Sequence, residues 1–531
     1  MKKLGIILGV MAFSGIVGSQ VVANAAKKND KSTFMISLNP KNKAALEDFV
    51  YDTVDPASPS YHQYLTPSQF ATRFGQSDSV INEFKSHFKK YKVTVKPNAG
   101  NLSLKVSGSY NNVVKALKAK PTNQNSAKYY TMYTLPKTLQ DKTQAIIGFG
   151  VENNYQKKAA KKQAKTKFAS DIQVKADTPN LKLSKADFSD KYAAKKFTSR
   201  YGVDKLYSQG LTGKGQSVGL ITLSDFHTQD IKTYLNKMGG NTDTNRIKRY
   251  YTSSSAKYVS GKITKPFKKV NEAYMAQVEA TLDVQQAASV APNSRINVYI
   301  GTGNGNQTQS DYDYYNAFVQ AISANRDKTL STSFNVFNEV ADKTYGLTEN
   351  AKQYNDALNL AFQQAAAQGI TMFNAAGDNG ARDKSNPKLN LSISMSPYLV
   401  EVGGTTLPFT KKIDGRTVTV KQEQGWGNIK QIAKADVKEQ SFSAGGGGFS
   451  QLNALPRYQQ GVSGVGTFRA VDYIKYDKQG KGIINPSPRV IYGTSRGRNV
   501  PDVSANSDPM TGYAMYVTNG TPGQKGVKAG K

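Results

Sequence analysis

From about Phe197 onward the chain alternates short apolar runs with longer amphipathic stretches, and this alternation constrains its fold more than any other feature. SVGLITL (217–223), INVYIG (296–301), TLSTSF (329–334), ITMFNAAG (370–377) and LVEVGGTTL (399–407) read as strands, the first of them of the fully buried kind. Helices are predicted over 274–288, 311–325 and 348–368. The pattern predicts an α/β unit, a parallel sheet with helices on both faces. Ligands of such sheets lie beyond the carboxyl ends of the strands, and the polar residues of interest fall there.

Upstream, residues 34–134 read as a separate α+β unit. FMISL (34–38) is strand-like and 41–53 helical. Residues 78–90 are helical too, with Val80, Phe84 and Phe88 recurring at four-residue spacing. VTVK (93–96) and LSLKV (102–106) flank the turn-rich Pro97-Asn98-Ala99-Gly100 and form a hairpin. A short helix over 111–118 and a last strand at YYTMY (129–133) complete a β-α-β-β-α-β order, which suits a ferredoxin-like sheet with helices on one face. Between the two units, NYQKKAAKKQAKTK carries six lysines between 157 and 167 and almost no large apolar residue. Residues 153–196 read as a solvated linker, as an exposed segment open to maturation cleavage, or as both.

A chain of 531 residues accommodates two or three domains. It contains no cysteine, so disulfides, thiolate nucleophiles and Cys-ligated zinc are excluded. The formal charge of +33 reads as a solubility device, since the lysines are spread along the chain, or as a weak attraction to an anionic cell surface. No aromatic-basic RNA-binding motif or zinc-finger spacing is present, and nucleic acid is not an expected partner. The first residues address the compartment. Met1-Lys2-Lys3, the apolar stretch 4–17 and Ala23-Asn24-Ala25 have the order of a signal peptide over 1–25, so an exported, extracellular protein is expected. A short membrane anchor is the alternative; no other run approaches twenty apolar residues.

Three elements carry candidate chemistry. Only three histidines occur, and a Ser-His-Asp hydrolase would have to use His227, which has no accompanying His motif. A hydrolase base is therefore expected to be a carboxylate. Glu279 and Asp283 stand four apart in a helix-like stretch whose neighbours Met275, Ala276, Val278, Ala280 and Leu282 are apolar. Such a pair is either a solvated surface pair or a buried couple in which burial and like charge raise proton affinity. Asp378 follows the strand ITMFNAAG in Gly-Asp-Asn-Gly, which is also an ordinary turn sequence. Four glycines at 445–448 permit close backbone approach, as a substrate-binding edge needs, or form a flexible loop.

Taken together, these segments resemble the sedolisin family of serine-carboxyl peptidases, over nearly the whole chain and in the family's order. DPASPSYHQYLTPSQFATRFG (55–75) looks like its pro-kumamolisin-type activation prodomain, and FTSRYGVDKLYSQGLTGKGQSVGLITL (197–223) like the start of its mature domain. EATLD (279–283) matches the family's Glu-xxx-Asp helix and NAAGDNG (374–380) its A-A-G-D-S-G phrase. STSF (331–334) stands in the place of S-x-S-W-G, with Phe334 and Asn335 where the family has Trp-Gly. SPYLVEVGGTTL (396–407), GGGGFS (445–450) and NVPDVSANSDPMTGY (499–513) match further phrases.

The resemblance implies a subtilisin-like parallel-sheet peptidase domain (197–531) behind a ferredoxin-like prodomain (30–152) that acts as an intramolecular inhibitor. It implies cleavage of protein or peptide substrates through a Ser ester in acid. Glu279 would be the general base, Asp283 its hydrogen-bonded tuner and Asp378 the oxyanion donor, with Ser333, Gly446 and Gly447 lining the substrate. It also implies calcium, with ligands beyond residue 531 and none within the chain. The family's nucleophilic Ser follows the NVPDVSANSDPMTGY phrase in S-G-T-S-x-x-x-P, and is not met by Lys531. The G-T-S at Gly493-Thr494-Ser495 precedes that phrase and lacks the following helix, so Ser495 is not expected to attack. The expectation is a truncated acid endopeptidase, or else a non-catalytic remnant acting through its prodomain or its surface.

Overall fold

The computed structural model describes residues 31–121, 131–150, 194–238, 240–252, 272–301, 311–334, 351–378, 380, 396–427, 443–476 and 482–517. The expected signal segment, the Lys-rich stretch up to residue 193 and Asn335 lie outside the described residues.

The N-terminal unit comprises strand β1 (Lys31–Leu38), helices α1 (Lys43–Asp52), α2 (Pro67–Arg73) and α3 (Asp78–Lys89), strands β2 (Thr94–Pro97) and β3 (Ser103–Ser109), helix α4 (Tyr110–Leu117) and strand β4 (Thr143–Ile147). Capping starts the helices. Asn42 accepts from the Ala45 N–H, Ser77 from Val80, and Thr66 forms a reciprocal capping box with Gln69 ahead of Pro67. The sheet order is β2-β3-β1-β4, antiparallel throughout, as a ferredoxin-like unit requires.

Two expectations change in detail. The edge strand is β4, not YYTMY; Thr131–Met132 pairs only with Lys120–Pro121, off the sheet, and Met132 is 56% exposed. Strand propensity at 129–133 says nothing about partners, whereas Ala145, Ile146 and Ile147 are buried on β4. The core stripe of α3 is Ile81, Phe84 and Phe88, with Val80 packed at its margin.

Alternation along β1 explains how this unit docks. Phe34, Ile36 and Leu38 face α3 and α4, while Met35, with Ala145 and Ile147 of β4, packs into the core of the second unit.

That second unit follows the strand–helix alternation. Its elements are β5 (Ser217–Thr222), α5 (Thr228–Met238), β6 (Ile247–Tyr251), α6 (Glu272–Val290), β7 (Arg295–Ile300), α7 (Asp311–Ala324), β8 (Thr329–Thr332), α8 (Ala351–Ala367), β9 (Thr371–Ala375) and β10 (Val400–Thr406). The strands run parallel in the order β6-β7-β5-β8-β9-β10. Later in the chain come β11 (Gln424–Gly425), antiparallel on β10, then β12 (Gly448–Ala454), β13 (Gly497–Val500) and β14 (Val503–Asn506), the last parallel to β10. Side chains alternate between layers. Leu220, Ile296 and Val298 meet α5 and α6, while Ile221, Tyr299, Leu330 and Met372 meet α7 and α8. The expected parallel sheet with helices on both faces is present. The hairpin-free crossovers place β5 and β8 side by side at the point where the strand order reverses, and ligands of open α/β sheets bind beyond the carboxyl ends there.

The docking face of the N-terminal unit lies on α7 and α8. Leu46, Phe49, Phe70, Phe74 and Leu102 bury against Leu360 and Ala367. Around this apolar centre, Leu65 N–H donates to Ala367 O at 2.9 Å, Gln364 Nε2 to Ala99 O at 3.0 Å and Gln320 Nε2 to Asn98 Oδ1 at 2.9 Å.

Candidate active site

Helix α6 carries the two carboxylates. Ala276, Ala280, Val284 and Ala288 recur on its buried face, and Glu279 and Asp283 share a neighbouring face one turn apart. Each residue as a whole is half-buried, but their carboxyl ends are sunk in the protein, and Asp283 Oδ2 is buried with no hydrogen-bond partner. Burial, with the charges of Asp283 and Asp378 added, pushes the Glu279 carboxyl well above the usual range. Burial likewise raises Asp283 to about 7, against an opposing hydrogen bond from Ser333. Two adjacent buried carboxyls that bind protons more tightly than solvated ones exclude the alternative of a solvated surface pair.

The other candidates converge from the carboxyl ends of the sheet. Ser333 follows β8, and its hydroxyl donates to Asp283 Oδ1 at 2.6 Å. The backbone there is held on both sides. Thr332 Oγ1 donates to Ile221 O at 3.0 Å and accepts from the Phe334 N–H at 3.1 Å, and Phe334 is 1% exposed. Phe334 therefore packs into the core. Asp378 follows β9, close enough for its charge to act on Glu279.

The glycine segment reaches the same place. Ala444 N–H donates to Asp378 O at 2.8 Å, Gly380 N–H to Ala444 O at 3.0 Å and Gly446 N–H to Gly377 O at 2.7 Å. A Cβ on Gly446 would lie 1.7 Å from Ala376 O, and one on Gly447 2.9 Å from Val500 O. The close approach that these glycines permit is thus to the chain's own backbone beside Asp378.

The segment NVPDVSANSDPMTGY is locked by a buried cation. Arg498, 0% exposed, donates to Leu399 O at 3.2 Å and pairs with Asp502, whose Oδ2 accepts from the Glu401 N–H at 2.8 Å. This network fixes β14 beside β10. The chain then returns to α6: Gln285 Nε2 donates to Tyr516 O at 2.6 Å and its Oε1 accepts from Tyr516 N–H at 2.9 Å. Gln285 lies two residues after Asp283, so the stretch after Tyr513 runs beside the carboxylate helix. Sequence reasoning missed this glutamine, because nothing local distinguishes a buried side-chain amide that pairs with backbone from a surface one. His227 and Ser495 stand apart. His227 opens α5, where its carbonyl accepts from Asp230 N–H, and Ser495 Oγ closes a turn with Gly497 N–H. Among the described residues neither side chain bonds to Glu279 or Asp283, and no group of three His, Asp or Glu side chains is arranged to hold a metal.

Residues 19–151 match the family model "Pro-kumamolisin, activation domain". The chain is 27% identical to kumamolisin of Bacillus sp. (strain MN-32) over 59% of its length and 46% of that protein. It is 25% identical to xanthomonalisin of Xanthomonas sp. (strain T-22) over 87% of its length and 55% of that protein. A solved structure of Pseudomonas sedolisin, a serine-carboxyl proteinase, matches at 23% identity and TM-score 0.38 over 58% of this chain and 69% of that one. The chain spans about half the length of the curated relatives it matches. Its N-terminal part thus matches a pro-kumamolisin activation domain, and the chain as a whole is similar to serine-carboxyl peptidases of the sedolisin family.

Proposed function

We propose that this chain is the proenzyme of a secreted, acid-acting serine-type endopeptidase, with residues 30–152 as the inhibitory activation domain and 197–531 as the peptidase portion. The observation that carries it is the buried Glu279–Asp283 couple, set against Asp378 at the carboxyl ends of the sheet. Glu279 takes the proton of the attacking serine and returns it to the leaving amine. Asp283 shares that proton and sets the basicity of Glu279. Asp378 donates to the oxyanion of the tetrahedral intermediate. The acid restriction comes from Asp378, which donates to the oxyanion only while it is protonated.

The family resemblance implies an attacking serine that follows the NVPDVSANSDPMTGY phrase; Ser333 bonds to Asp283 and Ser495 to its own turn. Calcium is implied by the family resemblance, with ligands expected beyond residue 531. The positive charge of the chain suits retention at an anionic cell surface after export.

The test compares residues 1–531 with the same protein extended through its downstream coding sequence, assayed on denatured protein substrate from pH 2 to pH 8. The extended form is expected to cleave in acid, and Glu279→Gln to lower kcat at least about 100-fold. Activity that rises to a plateau above pH 7, or survives Glu279→Gln, would defeat the proposal.

A further inference from the structure

Ser333 sits where the family pattern suggests a substrate contact, yet its hydroxyl is turned the other way. The Oγ lies 2.6 Å from Asp283 Oδ1, a short O–H···O separation. Its location is not adjustable. Thr332 is tied to β5 through Ile221 O, and Phe334 is sunk in the core. Asp283 has no alternative, since its second oxygen is buried and unpaired. Among the described residues, Ser333 is the one side chain that hydrogen-bonds it. The titratable groups near it are Glu279 on its own helix and Asp378 beyond β9, both carboxyls; no cation among the described residues acts on the pair. Two carboxyls one turn apart repel. The Ser333 hydroxyl also opposes the rise of Glu279, which carries the further charge of Asp378, but its short hydrogen bond is to Asp283.

We propose that Ser333 is a positioning residue of the carboxylate couple: its hydroxyl, held rigidly at the end of β8, fixes the Asp283 carboxyl in one orientation against Glu279. The substrate is left to other groups. This role rests on the peptidase assignment for its purpose but not for its physical content. A hydrogen bond from Ser333 favours the Asp283 anion, opposing the burial that disfavours it.

The experiment uses the full 1–531 chain with ¹³Cγ-labelled aspartate, the Asp283 signal being assigned by its loss in Asp283→Asn. Ser333→Ala is expected to raise the Asp283 titration midpoint by about one pH unit. Ser333→Thr, which keeps the hydroxyl, is expected to stay within a few tenths of the parent. An unchanged midpoint in Ser333→Ala, or an equal shift in Ser333→Thr, overturns the proposal. Should the alanine variant unfold, Ser333→Cys, of similar volume and weaker as a donor, is read by the same criteria.

In the active, extended protein Ser333→Ala is expected to lower kcat and displace the acid limb of the pH profile with KM little changed. A raised KM alone identifies a substrate contact and overturns the positioning role. If the titration shifts as expected but no extended form cleaves peptides, the peptidase reading falls and this one stands.

Discussion

Gly446 donates its N–H to Gly377 O at 2.7 Å, and a methyl group on its Cα would sit 1.7 Å from the carbonyl oxygen of Ala376. The obstacle is backbone, which cannot swing aside as a side chain does. Gly446→Ala therefore has to separate the glycine segment from the strand end that presents Asp378. We expect a loss of about 2 kcal/mol or more in urea denaturation, and in the extended protein a loss of activity larger than the loss of folded fraction accounts for.

The buried ion pair between Arg498 and Asp502 makes a second prediction. Arg498 is wholly buried, and its partner carboxylate also takes the Glu401 N–H. Arg498→Met fills the volume but leaves Asp502 without its counter-charge. A destabilisation of about 3 kcal/mol is expected; Asp502→Asn combined with Arg498→Met should recover part of it in a double-mutant cycle.

The carboxylate couple predicts how stability depends on pH. Asp283 is raised to about 7 in the folded chain, and Glu279 is shifted in the same direction. An acid whose folded pKa lies above its unfolded value binds a proton in the native state that the unfolded chain has already released. Its contribution is complete below about pH 4 and is lost as pH rises towards 7. Urea midpoints measured at pH 4.5 and pH 7.5 should fall with rising pH in the parent and fall less in Asp283→Asn. The difference is expected on the order of 1–3 kcal/mol, and equal falls in both proteins would contradict it.

Docking of the activation domain should depend on apolar contact rather than on its ion pair. Arg457 and Asp48 pair across the units at 2.5 Å with side chains 54% and 57% exposed, whereas Leu360 is 4% exposed beneath Phe49, Phe70 and Leu102. Asp48→Asn is expected to change stability by less than about 0.5 kcal/mol. Leu360→Ala should cost about 2–4 kcal/mol. Limited proteolysis of the intact chain should release the N-terminal unit faster in Leu360→Ala and at the parental rate in Asp48→Asn.

Much of this arrangement was legible in the sequence where the information is local. Strands such as SVGLITL and ITMFNAAG, and the helix that presents Glu279 and Asp283 on one face, declare themselves by the spacing of apolar residues. The ferredoxin-like order was legible except for its last strand, because β-propensity at YYTMY was real while the partner that strand needed lay elsewhere. Strand β6 and helix α5 were not singled out: IKRYY and TQDIKTYLNKM carry many polar residues and sit at the edge of the sheet, where burial is one-sided.

By itself, the sequence determined the fold class and which carboxylates stand together, since these follow from periodicity and from residues within a few turns of one another. Only the tertiary structure decided that Ser333, fifty residues from Asp283, bonds to it, that the glycines close on Ala376 and Gly377, and that Gln285 receives the backbone of Tyr516. Those partners are chosen by the order of strands in the sheet. Strand order reflects which apolar faces can be buried together, a property of the whole core that no single stretch of chain contains.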